Sequence, residues 1–197
     1  MSVNGQPARN GDTDAAGISD QAALTALSQG QIGALGLLYD RYSGAVYDFV
    51  RRAASDANDV DDIVQATFLS AAKTVASHDG KQTCRTWLVG IAGRILYRRR
   101  RGLSRWTRAL RELSLREADK YADPHRELSA RDEVQRLSSA LAQLSEPKRI
   151  VLLLAEAEEQ SCEQIAQALE VPIGTVWTRL HHARRELRRL LGHPGER

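Results

Sequence analysis

Residues 161–191 read SCEQIAQALEVPIGTVWTRLHHARRELRRLL, and this stretch decides the class of fold. Ser161, followed three residues on by Gln164, is the start of a capping box, in which each side chain satisfies an orphan N–H at the helix end. Ile165, Ala166 and Leu169 lay an apolar stripe on one face of that helix. Glu170, Val171 and Pro172 end it. Proline cannot continue the hydrogen-bond ladder, but it is tolerated in the first turn of a new helix. Val176, Leu180, Ala183, Leu187 and Leu190 then recur at spacings of three and four, which makes a second amphipathic helix. Its other faces carry Thr175, Trp177, Thr178, Arg179, His181, His182, Arg184, Arg185, Arg188 and Arg189. A cap, a tight turn and a long basic helix together predict a helix-turn-helix. The second helix of such a motif presents base-reading side chains to the major groove, and its arginines reach phosphates. An ordinary amphipathic hairpin with a solvated basic face explains the same residues less completely.

Composition sets the frame around this motif. The chain has 197 residues, with 42% hydrophobic and 5% aromatic residues. Val and Ile are scattered rather than alternating, and alanine, leucine, arginine and glutamate are abundant, so an all-α protein without a sheet is expected. The two cysteines, Cys84 and Cys162, are far apart and lack CxxC spacing, which argues against a metal site or a disulfide framework. With no apolar run long enough for a membrane span and no signal-peptide pattern, the expected location is the cytoplasm.

Upstream, residues 1–17 are small and polar and are expected to be disordered. Residues 18–101 predict a helical domain. Ser19 or Asp20 caps a first helix carrying Leu24 and Leu27. A second, from about residue 32 to 54, turns Leu35, Leu38, Tyr39, Tyr42, Val46, Phe49 and Val50 inward. A third, DVDDIVQATFLSAAKTV, buries Val60, Ile63, Val64, Thr67, Phe68, Ala71 and Val75 and turns Asp61, Asp62 and Gln65 outward. A fourth, from Thr86 to about Arg101, puts Trp87, Leu88, Ile91, Ala92, Ile95 and Leu96 inward. Between Gly80 and Arg111 there is no acidic residue, while Lys81, Arg85, Arg94, Arg98, Arg99, Arg100, Arg101, Arg105, Arg108 and Arg111 accumulate. Such a run beside Trp87 points to a nucleic-acid partner.

Residues 102–128 read as a linker with residual helix around Leu103, Trp106, Leu110 and Leu113, broken at Asp123-Pro124. Residues 129–197 make a second four-helix domain. Val134, Leu137, Leu141 and Leu144 mark one helix, and Ser145 caps the next, which contains Ile150, Val151, Leu153 and Leu154. The expected architecture is therefore two small helical domains joined by a linker, the C-terminal one a helix-turn-helix.

The segments GALGLLYDRYSGAVYDFV, DVDDIVQATFLSAAKTV and TWLVGIAGRI, followed by LSEPKRIVLLLAEAEEQSCEQIAQALEVPIGTVWTRLHHARRELRRL, resemble regions 2 and 4 of extracytoplasmic-function (ECF) sigma factors. The resemblance covers about residues 22–191. It implies an RNA polymerase sigma factor, whose region 2 binds core polymerase and melts the −10 element while region 4 reads the −35 element. It also implies control by an anti-sigma factor. Position by position, Asp61, Asp62 and Gln65 match the core-binding pattern, with Phe68 as packing. Arg85 opens the promoter-melting helix, and Arg94, Arg98 and Arg99 follow on it. Gly174, Thr175, Thr178, Arg179 and Arg184 match the −35 reader, flanked by Trp177, His181 and His182.

The departures are specific. Arg94 and Arg98 stand where family members usually carry Asn and a nearby Asp or Asn, which favours phosphate binding over a pocket for one base. Trp177 replaces a usual Lys or Arg, and Ala155 stands where a basic residue often approaches DNA. An unusual −35 sequence is expected. No nucleophile–base pair, paired carboxylates or glycine-rich phosphate loop stands in a suitable context, and His181 and His182 have no third ligand at metal-binding spacing. Neither an enzyme nor a cofactor is expected. The competing class is a stand-alone helix-turn-helix regulator, which leaves the DDIVQATF block unexplained.

Overall fold

The structure is a computed structural model that describes residues 17–78, 80, 82–111 and 130–192. Among them are eight α-helices: α1 (Asp20–Ser28), α2 (Gly33–Ala53), α3 (Val60–Thr74), α4 (Cys84–Arg111), α5 (Ala130–Gln143), α6 (Glu146–Glu156), α7 (Cys162–Leu169) and α8 (Ile173–Leu190). Short 3-10 turns precede and follow α3. The all-α expectation holds. The predicted tail, Asp123-Pro124, Lys81 and Leu113 lie outside the described residues.

Helices α2, α3 and α4 pack on one another, and α1 lies along α2. Ser19 caps α1 by accepting the Ala22 N–H at 3.2 Å, and the chain turns at Gly30, where φ is +84°. Asp20 is buried beneath that cap, paired with Arg41 at 2.7 Å and accepting the Tyr42 hydroxyl. On α3 and the 3-10 turn that follows it every predicted inward residue is buried, from Val60 to Val75, and Thr67 satisfies its hydroxyl by donating to the Ile63 carbonyl at 2.7 Å. Tyr39 departs from expectation. It is 47% exposed and leans over Phe68, ring centroids 4.8 Å apart, instead of entering the core.

In the C-terminal half, α6 and α8 pack together and α7 fits against α8. The predicted capping box of α7 is present, with both reciprocal bonds between Ser161 and Gln164. Glu170 takes the left-handed conformation that ends α7, and Pro172 precedes α8. Ser145 occupies the N-cap position of α6, but its hydroxyl makes no capping bond; its carbonyl accepts from Lys148 and Arg149. Val134 and Leu137, predicted inward on α5, are 67% and 42% exposed, whereas Ala140 on that helix and Leu144 just after it are buried.

The two halves share one apolar core. Helix α4 packs against α2 and α3 on one side and against α6 and α7 on another. Its second face is Val89, Gly90, Gly93 and Tyr97, all buried. The glycines permit this close approach. A Cβ on Gly90 would meet Ala168 Cβ at 3.2 Å, and one on Gly93 would meet Leu154 and Leu169 at 3.4 Å. The helix also continues past residue 101 to Arg111, so the residual helix expected around Leu103 to Leu110 is an extension of α4.

Candidate nucleic-acid and polymerase interfaces

Three surfaces collect the predicted site residues. The first is a groove between α2 and α3. Asp61, Asp62 and Gln65 are exposed along one wall, because they flank Ile63 and Val64, which point into the core. The other wall is Tyr39, Ser43, Tyr47 and Asp48 of α2. Tyr39, Ser43 and Tyr47 repeat at four-residue spacing, a second stripe beside the buried one, and Tyr47 is 43% exposed. The sequence reading missed this α2 wall. Its signal was the presence of tyrosines one position off the buried stripe.

The second surface is the basic face of α4. In sequence its cations have no acid among them, but in space they do. Arg85 pairs with Glu158, donating at 3.0 and 3.3 Å. That hydrogen bond, against the opposing effect of burial, raises the Arg85 pKa above its ordinary value. Arg94 and Arg98 both donate to Glu170, at 2.9 and 2.5 Å. The bonds from Arg98 and then Arg94 hold the Glu170 carboxyl below the usual carboxylate range. Arg99 donates to Asp59 at 2.5 Å, and Arg100 approaches Glu146 at 3.8 Å. Beside this face lies a cavity of about 150 Å³ lined by His78, Trp87, Gly90, Ile91, Arg94, Gln167 and Ala168 among others. Trp87 is half-buried and meets His78 edge-on at 4.9 Å between centroids.

The third surface is α8. Val176, Leu180 and Ala183 anchor it in the core. Gly174, Trp177, Thr178, His181, His182 and Arg184 are exposed and Thr175 is half-buried. Trp177 is 56% exposed on this face. Thr178 donates its hydroxyl to the Gly174 carbonyl at 2.8 Å, which leaves its oxygen free to accept. The His181 and His182 rings meet edge-on at 5.6 Å. Arg184 pairs with Glu156 at 2.7 Å. Arg179 turns away from the rest. Its guanidinium lies 4.9 Å from the Tyr97 ring centroid and donates to the Tyr97 hydroxyl at 3.0 Å. No group of three or more His, Cys, Asp or Glu among the described residues has metal-binding geometry, and no helix among them is long and apolar enough to cross a membrane.

Comparison with known proteins matches residues 38–106 to Sigma-70 region 2 and residues 134–187 to Sigma-70, region 4. The RNA polymerase sigma factor YlaC of Bacillus subtilis is 31% identical over 77% of this chain and 88% of its own. The ECF RNA polymerase sigma-E factor of Haemophilus influenzae is 31% identical over 85% of this chain and 92% of its own. Among solved structures, CnrH in complex with the cytosolic domain of CnrY is 27% identical, covers 89% of this chain and 99% of that one, and superposes with a TM-score of 0.56. The sigma factor RpoE of Bartonella quintana, solved with the anti-sigma factor NepR, shares the fold at a TM-score of 0.55 and 22% identity over 84% of this chain and 97% of that one.

Proposed function

Because the chain belongs to the ECF family of sigma-70 factors, and so is an RNA polymerase sigma factor that directs promoter-specific initiation, we propose a division of labour among its three surfaces. The α2–α3 groove takes core polymerase, with Asp61, Asp62 and Gln65 as polar contacts and Tyr39 and Tyr47 as apolar rims. The α4 face takes the −10 region of the promoter through Arg85, Arg94, Arg98 and Arg99. The α8 face takes the −35 region through Gly174, Thr175, Trp177, Thr178, His181 and His182, with Arg184 on the backbone and Arg179 reaching it only on leaving Tyr97. The domains follow the ranges 18–101 and 129–197 around a linker at 102–128. The chain works in the cytoplasm without catalysis of its own. The likeness to CnrH, solved with the cytosolic domain of CnrY, supports an anti-sigma factor as a further partner.

The observation that carries this reading is the outward face of α8, where Trp177 and its neighbours stand exposed on a capped helix-turn-helix. A regulator acting alone would use the same face but would have no use for the groove on α2 and α3. Reconstitution with core polymerase on a library of randomised promoters tests the reading. Specific transcripts are expected only with both proteins, and Trp177→Ala is expected to shift the selected −35 bases. Equal promoter specificity for the chain alone would assign it to the regulator class.

A further inference from the structure

Arg94 and Arg98 lie one turn apart on α4, and their guanidinium groups converge on a single carboxylate. Glu170 reaches them from the turn of the helix-turn-helix, across 76 and 72 residues of sequence. Its backbone is left-handed, with φ 55° and ψ 50°. That conformation ends helices and suits glycine, since any Cβ there crowds the following carbonyl. A glutamate is a costly choice for the turn alone. It makes sense where the side chain is needed at the point to which the turn directs it.

The rest of the contact has the same sense. Helix α7 lies close against α4, so that a Cβ on Gly90 would meet Ala168 Cβ at 3.2 Å, a contact that Ala168 would have to relieve by a few tenths of an ångström. Gln167 and Ala168 wall the cavity beside Trp87 and Arg94. Opposite it stands His78, whose Nε2 is buried without a hydrogen-bond partner. Arg85 and Arg100 meet Glu158 and Glu146, which also come from the C-terminal half. Thus acids of the C-terminal half pair with three of the four arginines offered to the −10 region, Arg85, Arg94 and Arg98, while Arg99 is held by Asp59 of its own half.

We propose that the helix-turn-helix closes over α4 as an internal substitute for DNA, with the Glu170 carboxylate standing where a backbone phosphate binds between Arg94 and Arg98. The inference rests on reading Arg94 and Arg98 as promoter contacts. To a guanidinium fork, a carboxylate and a phosphate present the same pair of anionic oxygens, so the two compete for one site. The pairs are exposed enough for each to be weak, so Glu170 biases a closure that the shared apolar core also holds. Apparent DNA affinity falls by the fraction of chains that are open.

The test uses the full chain and a fluorescein-labelled bubble duplex of mixed sequence. Glu170→Gly removes the carboxylate, adds no positive charge, and places in the left-handed turn the residue that suits it, so the fold is retained. Its affinity for the bubble duplex is expected to rise about tenfold, with a larger radius of gyration in small-angle scattering. A second variant joins the halves. In a chain carrying Cys84→Ala and Cys162→Ser, the pair Gly90→Cys and Ala168→Cys is close to disulfide spacing. Oxidation should link it within one molecule and abolish bubble binding, and reduction should restore both. Unchanged affinity and size for Glu170→Gly, or undiminished binding by the oxidised form, would each overturn closure. Adding Arg94→Ala and Arg98→Ala to Glu170→Gly separates the premise. If affinity does not fall, these arginines are not DNA contacts, and masking fails for that reason even where the disulfide forms.

Discussion

Arg149 donates through Nε to the carbonyl of Ala53 at 3.0 Å, joining α6 to the last residue of α2 across 96 positions of sequence. The same guanidinium reaches the Ala54 carbonyl and the Ser55 hydroxyl through Nη2, and the carbonyls of Leu141 and Ala142 through Nη1. Each of its five N–H groups therefore has an acceptor. The acceptors belong to the C-terminal ends of α2 and α5, where helix carbonyls lack partners and the dipole favours a cation. Burial lowers the Arg149 pKa from its ordinary value, and Glu146 beside it opposes that shift. One side chain thus terminates a helix in each half of the molecule.

Removing that side chain should therefore be felt by the whole fold. Arg149→Met is expected to cost about 2–4 kcal/mol, because several helix-end carbonyls are left without donors at once. Arg149→Lys, with one nitrogen in place of the fork, should recover only part of it. Urea unfolding of the full chain measures both. A destabilisation below about 0.5 kcal/mol for the methionine variant would mean that water replaces the guanidinium without penalty.

On the α2–α3 groove, Asp62→Arg is expected to weaken binding to core polymerase by about tenfold at a cost of only about 1 kcal/mol in stability, since the position is exposed but lies in the first turn of α3, where a carboxylate complements the helix dipole. A competition titration against the unmodified chain reads the effect. Equal competition by both proteins would remove this wall from the interface.

The arginines of α4 should show themselves through salt. Replacing Arg98 and Arg99 by Ala is expected to reduce the slope of log affinity against log salt for open-complex formation, by about 0.7–0.9 for each phosphate left without its cation. Parallel lines for variant and parent would mark the run as a solvated face only.

For α8, Thr178→Ala is expected to change the preferred −35 bases, at about 1–3 kcal/mol of discrimination if its hydroxyl accepts from a base edge. Arg184→Ala should lower output on all promoters alike, because a phosphate contact carries no sequence. Selection from a promoter library with each variant distinguishes the two roles. The reverse pattern would mean that the helix is rotated on DNA relative to this assignment.

Much of this was legible wherever one helix buries one face. The inward stripe of α3, the capping box at Ser161 and the anchors of α8 follow from spacing alone. What local reading could not supply was the second face of α4. Val89, Gly90, Gly93 and Tyr97 lie outside the stripe that packs on α2 and α3, and only packing against α6 and α7 explains their burial. The two small residues three apart were the available hint of a close helix neighbour. The same long-range packing supplied the acids. Glu158, Glu170 and Glu146 meet Arg85, Arg94, Arg98 and Arg100 from distant parts of the chain, so among the described side chains a run that is purely basic in sequence is paired in space. On α5 the error ran the other way. Val134 and Leu137 continue an apolar stripe that the fold leaves exposed.

The sharing of Arg94 and Arg98 between Glu170 and DNA has a consequence for how such a factor is tuned. A substitution that strengthens the grip of α4 on phosphate strengthens its grip on Glu170 as well. The two effects oppose each other, and measured promoter affinity moves less than the phosphate interaction itself. Activity is thereby buffered against drift on the α4 side, while a change at Glu170 acts on closure without that compensation. Variation in the set point of this protein is expected to gather in the turn between α7 and α8, a place where no base is read.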